Sequence, residues 1–70
     1  MEKILYPELL GEMAKHGDTQ KSLAKLLGIT YSSVSRRLSG KSEWSISEID
    51  ILCEHYDKNY YELFKKNEKE

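Results

Sequence analysis

The feature that most constrains this chain is the regular alternation of helix stop signals with helix start signals. Gly17, Gly28 and Gly40 are each followed within a few residues by a side chain suited to cap a helix N-terminus: Thr19, Thr30 and Ser45. Asn59 supplies a further start. Glycine accepts the left-handed conformation in which helices commonly end, and Ser, Thr and Asn accept hydrogen bonds from the first unpaired N–H groups. The punctuation divides 70 residues into five short segments, too short to stand as helices unless they pack on one another.

The apolar spacing inside each segment is helical. Tyr6, Leu9, Leu10 and Met13 follow the i, i+3, i+4, i+7 pattern, and Pro7 suits a first turn. In the second segment Leu23, Ala24, Leu26 and Leu27 form the apolar side, with Lys21 and Lys25 on the wet one. Val34 and Leu38 serve the third. "SISE", Ser45 to Glu48, is a capping box that opens a fourth helix striped by Ile46, Ile49, Leu52, Cys53 and Tyr56. "NYYE", Asn59 to Glu62, opens a short fifth carrying Tyr60, Tyr61, Leu63 and Phe64. No useful period-2 alternation occurs, so the expected fold is all-α, five short helices in a single domain over residues 1–70, with residues 65–70 a charged tail that frays. A chain of this size buries only about 60% of its unfolded surface and supports one small core.

The second and third segments are separated by three residues, Gly28 to Thr30. Two short helices joined by a Gly-containing turn of that length make a helix-turn-helix, here about residues 19–40. Charge singles out the same region. The whole chain has a net charge of −1, but residues 15–41 carry six cations against Asp18 alone, a net of +5. Residues 1–14 sum to −2 and residues 42–70 to −4. A basic block between acidic arms points to a localised anion-binding face.

The third helix directs that face. At about 100° per residue with Val34 at the origin, Leu38 falls near 40°, so the buried direction lies between them. Arg36 at about 200° and Ser32 at about 160° point the opposite way. Ser39 and Ser33 widen the exposed stripe, Ser35 and Arg37 lie on opposite flanks, and Tyr31 leans toward the core side with room to extend its hydroxyl outward. Arginine can meet guanine O6 and N7 or a phosphate, and serine hydroxyls both donate and accept, so the stripe suits a DNA groove. An ordinary solvated helix face has the same composition.

The run "TQKSLAKLLGITYSSVSRRLSG", Thr19 to Gly40, resembles the helix-turn-helix of the XRE family, the Cro and phage-repressor-like DNA-binding domains. Thr19, Gln20, Leu23, Ala24, Leu27, the turn Gly28-Ile29-Thr30, Val34 and Ser39-Gly40 carry the resemblance. It continues through "WSISEIDIL" and "YYELF" to span roughly residues 6–64. It implies a compact five-helix, lambda-repressor-like fold with the third helix as recognition helix in the major groove. It also implies that Gln20 meets a phosphate and braces that helix, that Tyr31, Ser32 and Ser33 stand nearest the base edges, and that Arg36 reaches a base or phosphate. Lys41 falls in the loop that follows the backbone. Arg37 departs from the family pattern, which often has an aliphatic residue there, and leaves two roles open: phosphate contact or surface ion pair. With Lys21 and Ser35 beside them, the candidate DNA-contacting set is Gln20, Lys21, Tyr31, Ser32, Ser33, Ser35, Arg36, Arg37 and Lys41.

The remaining conspicuous residues fit structural roles. His16 and His55 are expected on opposite sides of the core, without the cysteine or carboxylate pattern of a metal site. Glu48, Asp50 and Glu54 read as a solvated helix face, since no nucleophile, phosphate loop or metal cluster accompanies them. Trp44 reads as a hydrophobic staple at the fourth helix, with an interface role as the alternative. Cys53, the single cysteine, reads as a small buried hydrophobe in a reducing compartment.

The function expected from these features is sequence-specific binding of double-stranded DNA by a small transcriptional regulator, of phage or prophage repressor type, acting by operator occupancy. No catalysis and no cofactor, metal or small-molecule ligand is expected. A homodimer on a palindromic operator follows from the few base pairs one module reads, and Tyr60 and Tyr61 are candidate dimer contacts. The alternative is a protein-interaction module, antitoxin-like or anti-repressor, that uses its acidic helices on a partner. A cytoplasmic location is expected, because "MEKILYPELL" mixes charges with an early proline, unlike a secretory signal, and no run is long enough for a membrane span.

Overall fold

The computed structural model describes residues 5–66. Five helices follow in chain order: α1 (Pro7–Lys15), α2 (Gln20–Leu27), α3 (Tyr31–Leu38), α4 (Ile46–Tyr56) and α5 (Tyr60–Leu63). No strand occurs among the described residues. Of the tail expected to fray, residues 65–70, positions 67–70 lie outside them.

Every expected capping residue performs that role. Thr19 Oγ1 accepts from the Ser22 N–H at 3.1 Å, and Ser22 Oγ accepts from the Thr19 N–H at 2.8 Å. The reciprocal box at α2 thus uses serine in place of the usual Glu or Gln. Thr30 Oγ1 accepts from the Ser33 N–H at the start of α3. Ser45 with Glu48 and Asn59 with Glu62 close the boxes that open α4 and α5. At the end of α3 the Gly40 N–H donates to Arg37 O at 3.2 Å and the Lys41 N–H to Arg36 O at 2.9 Å. Gly40 needs a φ of +86° to make this turn, and a Cβ there would stand 2.9 Å from Leu5 Cδ2. Asp57 takes the equivalent left-handed position after α4, with φ +56°.

Each helix contributes one side chain with no exposure at all: Leu9, Leu23, Val34, Leu52 and Leu63. Burying such a side chain stabilises the fold by roughly 1.5–3 kcal/mol, so all five helices are bound to a common centre. Tyr6, Met13, Ala24, Tyr56 and Phe64 complete the core. Trp44, immediately before the α4 cap, packs edge-on to Phe64 and Tyr6 at centroid distances of 5.6 and 6.4 Å. It shares a small cavity wall with Ile49, the staple partner four residues into α4.

Two side chains expected in the apolar stripes leave the core. Ile46 is 80% exposed and Leu26 is 39% exposed. Ile46 lies about 90° around α4 from the core direction set by Ile49, Leu52 and Tyr56, and Leu26 about 100° from that set by Leu23, Ala24 and Leu27. Among the described residues, no helix is long and apolar enough to cross a membrane.

Candidate nucleic-acid interface

The core contacts of α3 determine its outer face. Val34 is its one fully buried residue, and Ile29 and Leu38 pack beside it from the two ends. Ser32 and Arg36 are consequently exposed, as is Tyr31 at 57%. Tyr31 was expected to lean toward the core. It stands in the first turn of α3, a helix that buries only Val34. Thr30 Oγ1 lies 3.0 Å from Ser33 Oγ, so the half-buried Ser33 hydroxyl is already engaged at the cap. Ser35 is half-buried on the flank.

The two adjacent arginines separate. Arg36 points outward, its Nε donating only a long 3.5 Å contact to Ser42 Oγ in the following loop. Arg37 turns inward. Its Nη1 donates to Ser33 O at 3.2 Å, and its Nε lies 2.9 Å from Glu48 Oε1 on α4. The Nε contact is an ion pair without an aligned hydrogen bond. The paired side chains are 20% and 10% exposed. Glu48, expected on a solvated face, is therefore buried. The helix wheel shows which way a residue leaves its own helix but not which neighbour stands there.

On α2, Gln20 occupies the first turn with Oε1 buried and unpartnered. Lys21 and Lys25 lie four residues apart and, with Thr19 and Ser22, line an open depression. Lys25 was absent from the expected contact set, although its i, i+4 relation to Lys21 marks it in the sequence. Ser42, the Arg36 partner, carries no such signal. Among the described residues Lys21, Lys25, Arg36 and Lys41 make no ion pair, whereas Lys15, Arg37 and Lys58 do.

Behind this face, a polar cluster ties the α1–α2 turn to the end of α4. Asp18 Oδ2 accepts from the Tyr56 hydroxyl at 2.7 Å and lies 3.0 Å from His55 Nε2, while Oδ1 accepts from Ser22 Oγ at 2.9 Å. Burial raises the Asp18 pKa, but the hydrogen bonds from Tyr56, His55 and Ser22 outweigh it and hold the carboxyl below its ordinary value. Burial, and then the hydrogen bond to Asp18 and the Asp18 charge, push the Tyr56 hydroxyl well above the usual phenol range. Glu12 is buried beside this cluster and meets Lys15, His16 and Lys58 at 3.2, 3.5 and 3.7 Å. Its carboxyl is also held low, first by the Lys15 hydrogen bond, against desolvation, and then by the charges of Lys15 and Lys58.

The two histidines are not separated by the core. Their rings lie 6.1 Å apart, both against Tyr56, because the end of α1 and the end of α4 meet there. Among the described residues no three His, Cys, Asp or Glu side chains gather as a metal-holding set. Cys53 is half-buried against the core, and its thiol is pushed up by burial and then by Asp50.

A family model described as helix-turn-helix matches residues 12–63, from the buried Glu12 of α1 to the buried Leu63 of α5. Neither a curated protein nor a solved structure matches the chain. The match covers well over half of the sequence, from the last turn of α1 through the whole of α2, α3, α4 and α5. The chain belongs to the XRE-type family of helix-turn-helix DNA-binding domains.

Proposed function

We propose that this DNA-binding regulator reads operator sequence by laying α3 in the major groove and acts as a repressor of phage or prophage type, by occupying its site. The observation that carries this reading is the sorting of the cations. Those tied into ion pairs lie on α1, on the α4–α5 connection or on the inward flank of α3. Among the described residues Arg36, Lys41, Lys21 and Lys25, which make none, cluster on the helix-turn-helix and the loop after it, while Lys65 and Lys66, also without an ion pair there, follow α5. In this arrangement Ser32 and Arg36 meet base edges, with Tyr31, Ser33 and Ser35 at the margin of the groove. Lys41 and Lys21 meet phosphates, and Lys25 joins them. With its oxygen turned inward, Gln20 has its amide N–H groups to offer a phosphate. A homodimer on a palindromic site, half-sites about 34–36 Å apart, supplies the specificity one module lacks. A mobility-shift salt series on duplex DNA tests the electrostatic part. The slope of log K against log salt is expected at about −0.9 per phosphate neutralised, and a flat response refutes the reading.

The exposed Ile46 and Tyr61, 80% and 82% accessible, favour a second reading in which the domain contacts a partner protein. Replacing Ser32 and Arg36 with alanine separates the two. Loss of activity with the fold intact supports groove binding, and unchanged activity supports the protein interface.

A further inference from the structure

A recognition helix needs its roll angle fixed as well as its position. α3 has eight residues and one fully buried side chain, Val34, so its apolar hold is narrow and leaves rotation about its own axis weakly restrained. A roll of about 20° displaces a side-chain tip roughly 5–6 Å from the axis by about 2 Å, far more than a hydrogen bond to a base edge tolerates. A short charge contact from the flank of α3 to a neighbouring helix opposes such a roll. Arg37 lies on that flank.

Glu48 Oε1 makes two contacts at once. It accepts from the Ser45 N–H at 3.0 Å, closing the box that starts α4, and it stands 2.9 Å from Arg37 Nε. Ser45 Oγ returns the box to the Glu48 N–H at 3.2 Å, so the carboxylate is held in place before Arg37 meets it. Nη1 of the same Arg37 guanidinium donates to Ser33 O, one turn back along α3. The chain between the two helices is gathered onto the same turn, with the Lys41 and Ser42 N–H groups both donating to Arg36 O. The last turn of α3, the loop bearing Lys41 and the first turn of α4 form one braced unit. Arg37 and Glu48 are its cross-piece.

We propose that Arg37 and Glu48 are positioning residues that set the roll of α3 in the groove, so that base discrimination depends on Glu48, a buried residue of α4. The proposal rests on the reading of α3 as the recognition helix. It removes Arg37 from the phosphate contacts and leaves Arg36 as the arginine that meets DNA.

The test uses Glu48→Gln, which keeps the capping box and deletes the charge, with Arg37→Met, which keeps much of the side-chain volume, and the double variant. The probes are a duplex selected by the wild-type chain from a random pool and an unrelated duplex of equal length. Both are titrated across a salt series at a temperature where the variants retain wild-type helical circular dichroism. Both single variants are expected to lower the ratio of selected to unrelated affinity about tenfold, and the double variant no further. The salt slope and the affinity for unrelated DNA stay unchanged. An Arg37→Met slope shallower by about 0.9, with Glu48→Gln like wild type, identifies Arg37 as a phosphate contact and overturns the proposal. An unchanged ratio in Glu48→Gln overturns it as well. A wild-type chain that selects no duplex refutes the recognition-helix reading itself, a result separable from the others because it precedes any variant.

Discussion

The Tyr56 hydroxyl donates a 2.7 Å hydrogen bond to Asp18 Oδ2 and so joins the end of α4 to the turn that precedes α2. Tyr56 is 3% exposed, and Asp18 also accepts from the serine that closes the α2 capping box. The start of the helix-turn-helix is therefore anchored from behind. Tyr56→Phe keeps the ring and removes the donor, leaving a largely covered carboxylate with fewer partners. We expect a loss of about 1.5–3 kcal/mol in urea unfolding, the range for hydrogen bonds to charged groups. An unchanged midpoint would show that solvent replaces the phenol.

Acid should destabilise the domain through Asp18 and Glu12. Both carboxyls are held below their ordinary values of 3.8 and 4.5 in the folded chain. The unfolded chain therefore binds protons first as pH falls. The stabilisation is fully present above those values and is lost as pH drops through them toward the lower folded values. Thermal unfolding followed from pH 7 to pH 3 should show a midpoint that falls in the acid range, with a shallower fall in Asp18→Asn. A variant as acid-sensitive as the wild type would assign the effect elsewhere.

Two glycines should respond to alanine in opposite directions. Gly40→Ala introduces a Cβ at φ +86° and 2.9 Å from Leu5 Cδ2, at a cost of about 1–2 kcal/mol for the left-handed conformation before any clash is counted. Gly11 lies inside α1 with nothing within 4 Å of a built Cβ. There alanine should stabilise by about 1 kcal/mol, the helix-propensity difference. Chemical denaturation of the pair checks both signs in one experiment.

The outward cations should separate by the kind of DNA contact they make. Arg36→Ala is expected to cost about 1–3 kcal/mol on the preferred duplex and to relax selectivity at the base pairs it faces. Lys21→Ala and Lys41→Ala should weaken all sequences alike and lower the salt slope by about 0.9 each. Binding isotherms on preferred and scrambled duplexes at several salt concentrations distinguish these patterns.

Much of this protein is local. The boundaries of α2, α3 and α4 follow from Thr19 with Gly28, Thr30 with Gly40, and Ser45, because a cap or a left-handed turn involves only residues a few positions apart. The outward direction of Ser32 and Arg36 follows equally from helical periodicity once Val34 is known to face inward. What tertiary packing alone decided are the relations across the chain. Arg37 and Glu48 stand eleven positions apart and on different helices, and each separately looks like part of a solvated face. His16 and His55 meet because α1 and α4 end at the same corner. Ile46, apolar and at plausible spacing, is left 80% exposed, off the direction in which α4 packs. A side chain's own helix dictates the direction in which it leaves, and only the packing of the other helices dictates whether it finds a core, a charge or water.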